Sequence, residues 1–401
     1  MRRLGVIIFL LVAAVKLPAQ ELLDRLDERL TSSAFGDNLR ARFSGTLDLE
    51  YYHFDQPPPG LIDASGHDLF NPRLTTFFDA QIGGHFYFFA QARFDRHFDP
   101  TDKGAQVRLD EYALRFTPWS DGRLNIQIGK FATVVSKWVE RHLSWDNPFV
   151  NAPLVYENVT NLEDLSAPYY FYGGTIRDRK YDYIPVIWGP SYASGAALTG
   201  RIGMVEYAAE IKNAALASRP ESWDATRIGF QNPTFTGRIG LQPNAMWNFG
   251  FSASDGAYFR PDAEYTLPYE KSIGDYHEIM LGQDVSFAWH HLQLWAEFHE
   301  ARFDVPRLGG ADTFAYFIEA KYKIAPQLFA AVRWNQQFFG KLADGYGGEV
   351  QWSPDVSRAD FAVGYRFTTH TQLKLQYYLQ HTAGVERDFS HTFAAQFTVR
   401  F

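Results

Sequence analysis

The stretch Phe389–Phe401, with the sequence FSHTFAAQFTVRF, decides how this chain folds. Successive side chains lie on opposite faces of a β-strand, so a period of two marks a strand with two different faces. One face of this stretch is almost wholly apolar and the other is polar, which predicts a half-buried strand. The two sets are His391, Phe393, Ala395, Phe397, Val399 and Phe401, and between them Thr392, Ala394, Gln396, Thr398 and Arg400.

The first twenty residues predict a secretory signal peptide. Arg2 and Arg3 precede the apolar stretch Val6–Val15, and Ala19 is the expected cleavage residue. The apolar stretch is too short for a membrane-spanning helix, which needs about 20 residues; a buried N-terminal helix is the alternative. A signal peptide sends the chain out of the cytoplasm, and the strand that ends in Phe401 resembles the C-terminal signal of bacterial outer-membrane β-barrel proteins.

Composition excludes several classes of protein. The chain of 401 residues has no Cys, which excludes disulfides and a lipoprotein anchor. Removing the three basic residues of the signal peptide leaves 35 of the 38 Lys and Arg against 46 Asp and Glu, so the formal charge changes from −8 to −11. Such an acidic chain is not expected to bind nucleic acid, which requires a basic surface. The 31 Gly, 20 Pro and 17% aromatic residues favour many strands joined by turns.

Residues 21–37 predict a short amphipathic leader before the strands. Leu22, Leu23, Leu26 and Leu30 recur at helical spacing, and charged residues lie between them. A periplasmic leader that packs against the following strands is the simplest interpretation. A trimer-forming coiled coil is the alternative, although the pattern does not complete two heptads.

Residues 38–401 predict about sixteen antiparallel β-strands, an even number of the kind found in outer-membrane barrels. The pair Gly83-Gly84 forms a tight turn, and a change of face near Asp110-Glu111 predicts a β-bulge. Short and long connections alternate along the chain, which places both ends of the barrel segment in the periplasm. We therefore predict an all-β fold, a closed transmembrane antiparallel β-barrel. A soluble sandwich, jelly roll or propeller is the alternative, but it has no reason to keep this alternation.

The two faces of the predicted strands require different environments. Backbone groups in hydrocarbon must all be paired, so only a helix or a closed barrel can span a bilayer. The apolar face, which includes Leu375 and Tyr377, must then contact lipid, and the polar face, which includes Lys374 and Gln376, must line a water-filled lumen. Four aromatic residues near strand ends are predicted to lie in the interfacial girdles: Trp289, Tyr322, Trp334 and Tyr378.

The chain resembles general bacterial porins in its order of signal, leader, strands and long third loop. Three stretches resemble the phosphate-selective porin family of the O/P type: Asn125–Phe131 (NIQIGKF), Val363–Phe367 (VGYRF) and Leu373–Tyr378 (LKLQYY). The resemblance implies a trimeric channel whose third loop folds inward and narrows the pore. It does not imply phosphate selectivity, because the long loop of this chain has no dense run of Arg and Lys.

The segment 132–193 is the longest connection and the predicted pore constriction. A structureless loop of roughly sixty residues in a compact domain is expected to be functional, and the barrel lumen is the available cavity for one so rich in Trp, Pro and charge. Its basic residues are predicted to place positive charge at the narrowest point. A surface cap, or an arm that grips a neighbouring subunit, is the alternative. The predicted constriction residues are Lys130, Lys137, Trp138, Arg141, His142, Trp145 and Asp146.

Charged residues at inward positions of the strands are predicted to line the pore wall. Opposed rings of charge set a transverse field that filters solutes. For any single residue, an ion pair that holds neighbouring strands together is the alternative role. The predicted wall residues are Arg40, Arg42, Arg93, Arg115, Glu297, Arg333 and Arg366.

The predicted function is passive diffusion of small hydrophilic solutes or ions through this pore in the bacterial outer membrane. No HExxH, GxSxG or P-loop spacing is present, so no reaction, metal or cofactor is expected. The expected partners are outer-membrane lipid, lipopolysaccharide, the solutes and the other copies of a homotrimer. Alternatives are a non-conducting structural barrel, an outer-membrane enzyme, and a carbohydrate-specific channel that stacks sugars on Trp138, Trp145, Tyr156, Tyr169, Tyr170 and Tyr172.

Overall fold

The computed structural model describes residues 20–36, 38–96, 104–172, 180–385 and 389–401. Of the predicted signal peptide, residues 1–20, only Gln20 lies within the described part, so the cleavage site is outside it. Among the described residues, no helix is long and apolar enough to cross a membrane.

Sixteen antiparallel strands within the described residues form one closed barrel, which confirms the predicted fold class. Each strand pairs with the next along the chain, and the last pairs with the first. Such a closed ladder pairs the backbone groups that hydrocarbon would otherwise leave unsatisfied. In chain order the strands are β1 (Leu39–Phe54), β2 (Asp68–Ile82), β3 (Phe86–Arg96), β4 (Ala105–Phe116), β5 (Asn125–Lys130), β6 (Ser194–Ile202), β7 (Val205–Lys212), β8 (Thr234–Leu241), β9 (Trp247–Ala257), β10 (His277–Trp289), β11 (Leu292–Val305), β12 (Gly309–Ala325), β13 (Leu328–Phe339), β14 (Val356–Arg366), β15 (Thr371–Thr382) and β16 (Phe389–Arg400).

Apolar side chains cover the outer wall of the barrel. In β15 the outward Leu375 and Tyr377 are exposed, whereas the inward Lys374 and Gln376 are buried. This alternation follows from the pleat of the strand, which turns successive side chains to opposite faces. Other exposed apolar residues of the outer wall include Phe251, Ile318, Val332, Phe361 and Phe393.

The predicted β-bulge lies in β4. Gln91 of β3 pairs with Glu111, and the next residue, Ala92, pairs with Leu109, so Asp110 is the extra residue. An extra residue places each side chain beyond it on the opposite face of the sheet from the one that strict alternation predicts. Because of the bulge, Leu109 and Leu114 both lie exposed on the outer wall although one position is odd and the other even.

Three of the four predicted girdle aromatics lie on the outer wall. Trp289, Tyr322 and Trp334 are exposed there, as expected. The prediction for Tyr378 is wrong, because its neighbour Tyr377 takes the outward position and Tyr378 is fully buried inside the barrel.

Short turns lie at one end of the barrel, the short-turn end, and the long connections lie at the other, the long-loop end. The sequence pattern predicts the connection between β11 and β12 at 304–311, but the structure has it at 306–308, because the two strands continue their pairing to Val305 and Gly309. The barrel wall therefore extends further toward the long loops at β11 and β12 than the sequence predicts. The short turns are 83–85, 117–124, 203–204, 242–246, 290–291, 326–327 and 367–370.

The leader contacts the short-turn end, beside the junction of β1 and β16. Residues 20–29 are helical, and the short strand Thr31–Ala34 pairs antiparallel with the start of β1. The Asp27 carboxylate accepts a hydrogen bond from Arg42 at 2.9 Å, and Asp24 lies 2.8 Å from the Nε2 atom of His370. These contacts hold the leader against β1 and against the turn between β14 and β15.

Candidate pore constriction

The connection between β5 and β6 is described at residues 131–172 and 180–193, which are called here the inserted segment, and most of these residues are buried inside the barrel. Lys374 of β15 points inward, and its ammonium donates to three of the segment's carbonyl oxygens. The distances are 2.8 Å to Ser144, 3.0 Å to Asn147 and 2.9 Å to Phe149. A lysine ammonium has three donors, so these three bonds satisfy it completely. They fix one turn of the segment against the wall.

Two buried arginines form a second anchor. Arg333 of β13 and Arg358 of β14 both donate to the carbonyl oxygen of Ala152, and Arg358 also contacts the segment's Glu157. Asp360 lies between the two guanidinium groups, 3.0 Å from Arg333 and 3.1 Å from Arg358. Removing one partner of such a buried network would leave an uncompensated charge, which is strongly destabilising. The network therefore holds the segment in one position.

Glu297 of β11 is the third anchor. Its carboxylate accepts hydrogen bonds from the main-chain N–H groups of Lys137 and Trp138 at 3.0 and 2.6 Å, and from the Tyr156 hydroxyl at 2.6 Å. The rings of Trp138 and Tyr156 stack with their centroids 4.3 Å apart. One wall carboxylate thus joins two parts of the inserted segment that are distant in sequence.

The inner wall of β10–β12 is apolar toward the long-loop end. Met280, Phe303 and Phe317 point inward, and they pack with Val135 and Trp138 of the inserted segment in one buried cluster. The prediction of a water-facing inner wall is therefore wrong for this part of the barrel. The signal in the sequence was the run of apolar residues at inward positions of these strands.

A cavity of about 110 Å³ remains between the inserted segment and the opposite wall. Arg73 of β2 and Arg93 of β3 line it from the wall, and Trp138, His142 and Tyr156 line it from the segment. A space of this volume holds several water molecules. It is the candidate constriction, and only three of these five residues lie in the segment that the sequence singled out.

In the ion pairs on this wall, the arginine side chain is more exposed than the carboxylate that it pairs with. The side chain of Arg73 is 16% exposed and that of its partner Glu50 is 0%, while Arg93 is 12% exposed and Asp95 is 1%. The carboxylates lie behind the guanidinium groups, so a solute in the lumen meets positive charge first. Three pairs have this arrangement: Arg73 with Glu50, Arg93 with Asp95, and Arg108 with Asp110.

His142 is uncharged at neutral pH. Burial, together with the nearby Arg93 and Arg73, lowers the pKa of its imidazole to about 4. Nδ1 lies 2.6 Å from the carbonyl oxygen of Val139, and Nε2 lies 2.5 Å from the Tyr192 hydroxyl. His142 therefore adds no charge to the cavity above about pH 4, which differs from its predicted role as a cation.

The other predicted cations, Lys130, Lys137 and Arg141, do not line this cavity. Lys137 pairs with Glu206 of β7 at 3.3 Å, and Arg141 pairs with Glu319 of β12. Lys130, at the end of β5, donates to a main-chain carbonyl oxygen of β4 at 2.8 Å. The side chains of Lys137 and Arg141 are 17% and 12% exposed, so they are not hidden from solvent. They lie outside the cavity, however, and the positive charge at the cavity comes from Arg73 and Arg93.

Trp145 and Asp146 lie toward the short-turn end. The ring of Trp145 lies between the guanidinium groups of Arg366 and Arg400, 4.9 and 4.3 Å from its centroid. Its carbonyl oxygen accepts a hydrogen bond from Arg366 at 3.1 Å. Asp146 is exposed beside this cluster, so these residues belong to the mouth of the lumen rather than to the 110 Å³ cavity.

The predicted wall residues have three different positions. Arg93 lines the cavity, whereas Glu297, Arg333 and Arg366 bind the inserted segment. Arg40 and Arg42 lie at the short-turn end of β1, and Arg115 donates to Gln127 at 2.9 and 3.0 Å within the wall. Sequence reasoning missed two residues, Arg73 of the cavity and Arg358 of the anchor network.

Solved structures of outer-membrane proteins share this fold at low sequence identity. The outer membrane channel DcaP of Acinetobacter baumannii has a TM-score of 0.58 and 10% identity, over 92% of this chain and 99% of that one. An anion-selective porin from Comamonas acidovorans has a TM-score of 0.54 and 9% identity, over 90% and 100%. OmpT of Vibrio cholerae, an outer membrane protein in trimer form, has a TM-score of 0.55 and 11% identity, over 91% and 100%. No family model and no curated protein matches the chain.

The architecture decides the location of the chain. Its closed antiparallel barrel presents an apolar outer wall with exposed Trp289 and Trp334, which suits a bilayer core bordered by aromatic girdles. Barrels of this kind lie in the bacterial outer membrane, with short turns toward the periplasm and long loops outside. The chain is therefore an outer-membrane β-barrel protein of the porin fold, and its similarity to the solved structures concerns the fold alone.

Proposed function

We propose that the chain is a porin that lets small hydrophilic solutes or ions diffuse passively through its lumen, and that the inserted segment forms the constriction. The observation that carries the proposal is the cavity of about 110 Å³ between the segment and β2–β3, which Arg73 and Arg93 line. A channel of this kind needs no reaction and no cofactor. A homotrimer is the proposed assembly, and chemical cross-linking of the purified protein in detergent would test it.

The exposure of Arg73 and Arg93 supports a channel that is nearly non-selective or mildly selective for anions, although the chain as a whole is acidic. Fixed charges act strongly inside a low-dielectric wall, while charges at the solvated rims are screened within about 8 Å at physiological salt. Within the described part of the chain, three charged groups line the cavity: the guanidinium groups of Arg73 and Arg93, whose carboxylate partners are buried, and the carboxylate of Glu157, which is paired with Arg358. The constriction, rather than the net charge, should therefore set the selectivity.

Neutralising Arg73 and Arg93 should shift the channel toward cations. The double variant Arg73→Gln/Arg93→Gln leaves Glu50 and Asp95 to dominate the cavity, and the reversal potential in a salt gradient should move in the cationic direction. Arg302→Gln is the matched control, because Arg302 pairs with Asp312 on the outer wall. An unchanged reversal potential in a folded, conducting double variant would place the selectivity filter elsewhere.

Surface labelling should establish the orientation. The chain contains no Cys, so single cysteines are clean reporters. Tyr265→Cys and Tyr346→Cys, at positions 96% and 64% exposed in long loops, should react on whole cells with a membrane-impermeant maleimide. Ser120→Cys and Asn244→Cys, in short turns, should react only after the outer membrane is permeabilised. Reaction of the short-turn set on intact cells would reverse the orientation.

A non-conducting structural barrel is the second candidate. It is favoured by the buried apolar cluster that the inserted segment forms with Met280, Phe303 and Phe317 inside the barrel. Planar-bilayer recordings distinguish the two, because a plugged barrel gives no steps of current. A carbohydrate channel has less support, since the rings of Trp138 and Tyr156 stack on each other and Trp145 lies between two arginines.

A further inference from the structure

A second cavity, of about 150 Å³, lies at the long-loop end and is called here the vestibule cavity. The loops 55–67 and 340–355, the inserted segment and the ends of β14–β16 all contribute to it. Prolines, amides and hydroxyl groups form most of its surface. Among the lining residues that the structure describes, Lys180 is the one charged side chain, in a chain whose net charge is negative.

The ammonium of Lys180 is held by neutral acceptors. Its Nζ atom donates to the carbonyl oxygen of Pro58 at 2.7 Å and to that of Ile62. Asp63 and Glu157 act on it only as more distant charges, and burial lowers the pKa of the ammonium to about 7. Since an ammonium has three donors, one donor remains for a further acceptor.

The same stretch of chain separates the vestibule cavity from the constriction. Residues 57–60 line the vestibule cavity, and Leu61 and Ile62 line the 110 Å³ cavity. Gly60, with φ +56°, lies so close to the inserted segment that a Cβ atom there would be 2.7 Å from the carbonyl oxygen of Glu157. Residues 57–62 therefore form a septum between the two cavities, and Lys180 fastens it.

We propose that the vestibule cavity binds the carboxylate or phosphate group of a small solute through Lys180, and that binding releases the septum. An anion is a far stronger acceptor for an ammonium than a peptide carbonyl, because both partners are charged. The buried Gln380 lines the same cavity, and its Oε1 atom has no hydrogen-bond partner, so a hydroxyl or N–H donor of the solute can satisfy it. When the anion accepts the hydrogen bonds that Lys180 donates, the carbonyl oxygens of Pro58 and Ile62 lose the bonds that hold the septum. The release step rests on the proposed porin function, whereas the binding step does not.

Binding should weaken as pH rises. Lys180 is charged below its pKa of about 7 and neutral above it, so anion affinity is highest at pH 6 and falls through pH 7. The nearby Asp63 and Glu157 favour the charged form, and a bound anion favours it further. Anion binding is therefore expected to be accompanied by proton uptake near neutral pH.

Calorimetric titration of the purified full-length protein with inorganic phosphate and with acetate tests the site. Lys180→Met should weaken binding of the preferred anion at pH 6 by about tenfold or more, as for one lost charge-assisted hydrogen bond. The unaltered protein should bind the anion about tenfold or more weakly at pH 8.5 than at pH 6. Lys271→Met is the matched control, because Lys271 is an exposed loop lysine that pairs with Asp275 outside the cavity. Equal binding by Lys180→Met and the parent would overturn the proposed site.

Planar-bilayer recordings test the release of the septum. At constant ionic strength and pH 6, the anion that binds should increase the time that the parent spends in its open state, and Lys180→Met should lose this response. A parent that conducts without any response to the anion overturns the release step and leaves the porin function intact. A parent that gives no current contradicts the porin function, and the calorimetric result then stands alone.

Discussion

Deletion of Phe401 is expected to lower the amount of folded barrel in the outer membrane by about tenfold or more. Phe401 completes the junction between β16 and β1: its N–H donates to the Gly45 carbonyl oxygen at 3.0 Å, and the Gly45 N–H donates back at 2.9 Å. Losing both hydrogen bonds costs about 2 kcal/mol in net stability. It also leaves backbone groups unpaired at the closing edge of the barrel, where few alternative partners are available.

The ring of Phe401 adds to this junction. It lies over Gly45, where a Cβ atom would be 2.7 Å from the ring, and its centroid is 6.5 Å from that of Phe43. Phe401→Ala keeps the two backbone bonds and should therefore have a smaller effect than deletion. Phe389→Ala is the matched control, since Phe389 is an exposed aromatic at the other end of the same strand.

The measurement is the fraction of protein that migrates as a heat-modifiable folded barrel in outer-membrane extracts. Unfolded or degraded chain should accumulate in the deletion variant, while Phe389→Ala remains near the parent. A normal yield of folded barrel after deletion of Phe401 would show that β16 and β1 close the barrel without the two backbone hydrogen bonds of Phe401.

Excision of residues 138–163 from the inserted segment is expected to raise single-channel conductance by roughly twofold or more. The reason is that conductance through an aqueous pore grows with the cross-section of its narrowest part. Residues 138–163 are replaced by a flexible linker of about ten residues. Asp164 is retained, because it pairs with Arg219 at 2.7 Å in a buried site. The freed side chains of Lys374 and Arg333 then face water, and the strand ladder is unchanged.

The control for this excision is a shortened turn at 344–348, in the hairpin Lys341–Ala343 and Glu349–Gln351 of a long loop. It removes chain from the long-loop end without touching the three anchors of the inserted segment. We expect its conductance to equal that of the parent. If the excised barrel folds but conducts like the parent, the inserted segment does not limit the current.

The number of strands, and the face of the sheet on which most side chains lie, could be predicted well from the sequence. The residues at which the strands begin and end could not. The alternation of apolar and polar residues depends only on neighbouring positions, so it predicted about sixteen strands and a bulge near Asp110-Glu111. The alternation of side chains predicts that β2 starts near Leu74, but pairing of Asp68 with His53 makes the strand begin earlier. Arg73 was missed because it precedes the predicted start.

The candidate site was predicted in outline only. The length and composition of residues 132–193 indicated a segment inside the lumen, and Trp138 and His142 do line the cavity. The residues expected to carry its charge, Lys137 and Arg141, are instead paired with Glu206 and Glu319 on distant strands. Such pairs leave no local pattern in a sequence, because their members are brought together only when the barrel closes.

The amino-acid sequence by itself determined the closed barrel, its apolar outer wall and a connection long enough to enter the lumen. These features follow from the period of the side chains and from the rule that backbone in a bilayer must be paired. Only the tertiary structure decided which charges a solute can meet. The ammonium of Lys374 is enclosed by carbonyl oxygens as far as 230 positions away, while the side chains of Arg73 and Arg93 stay 16% and 12% exposed beside buried carboxylates. The accessibility of a charge depends on such distant partners, and no local sequence pattern records them.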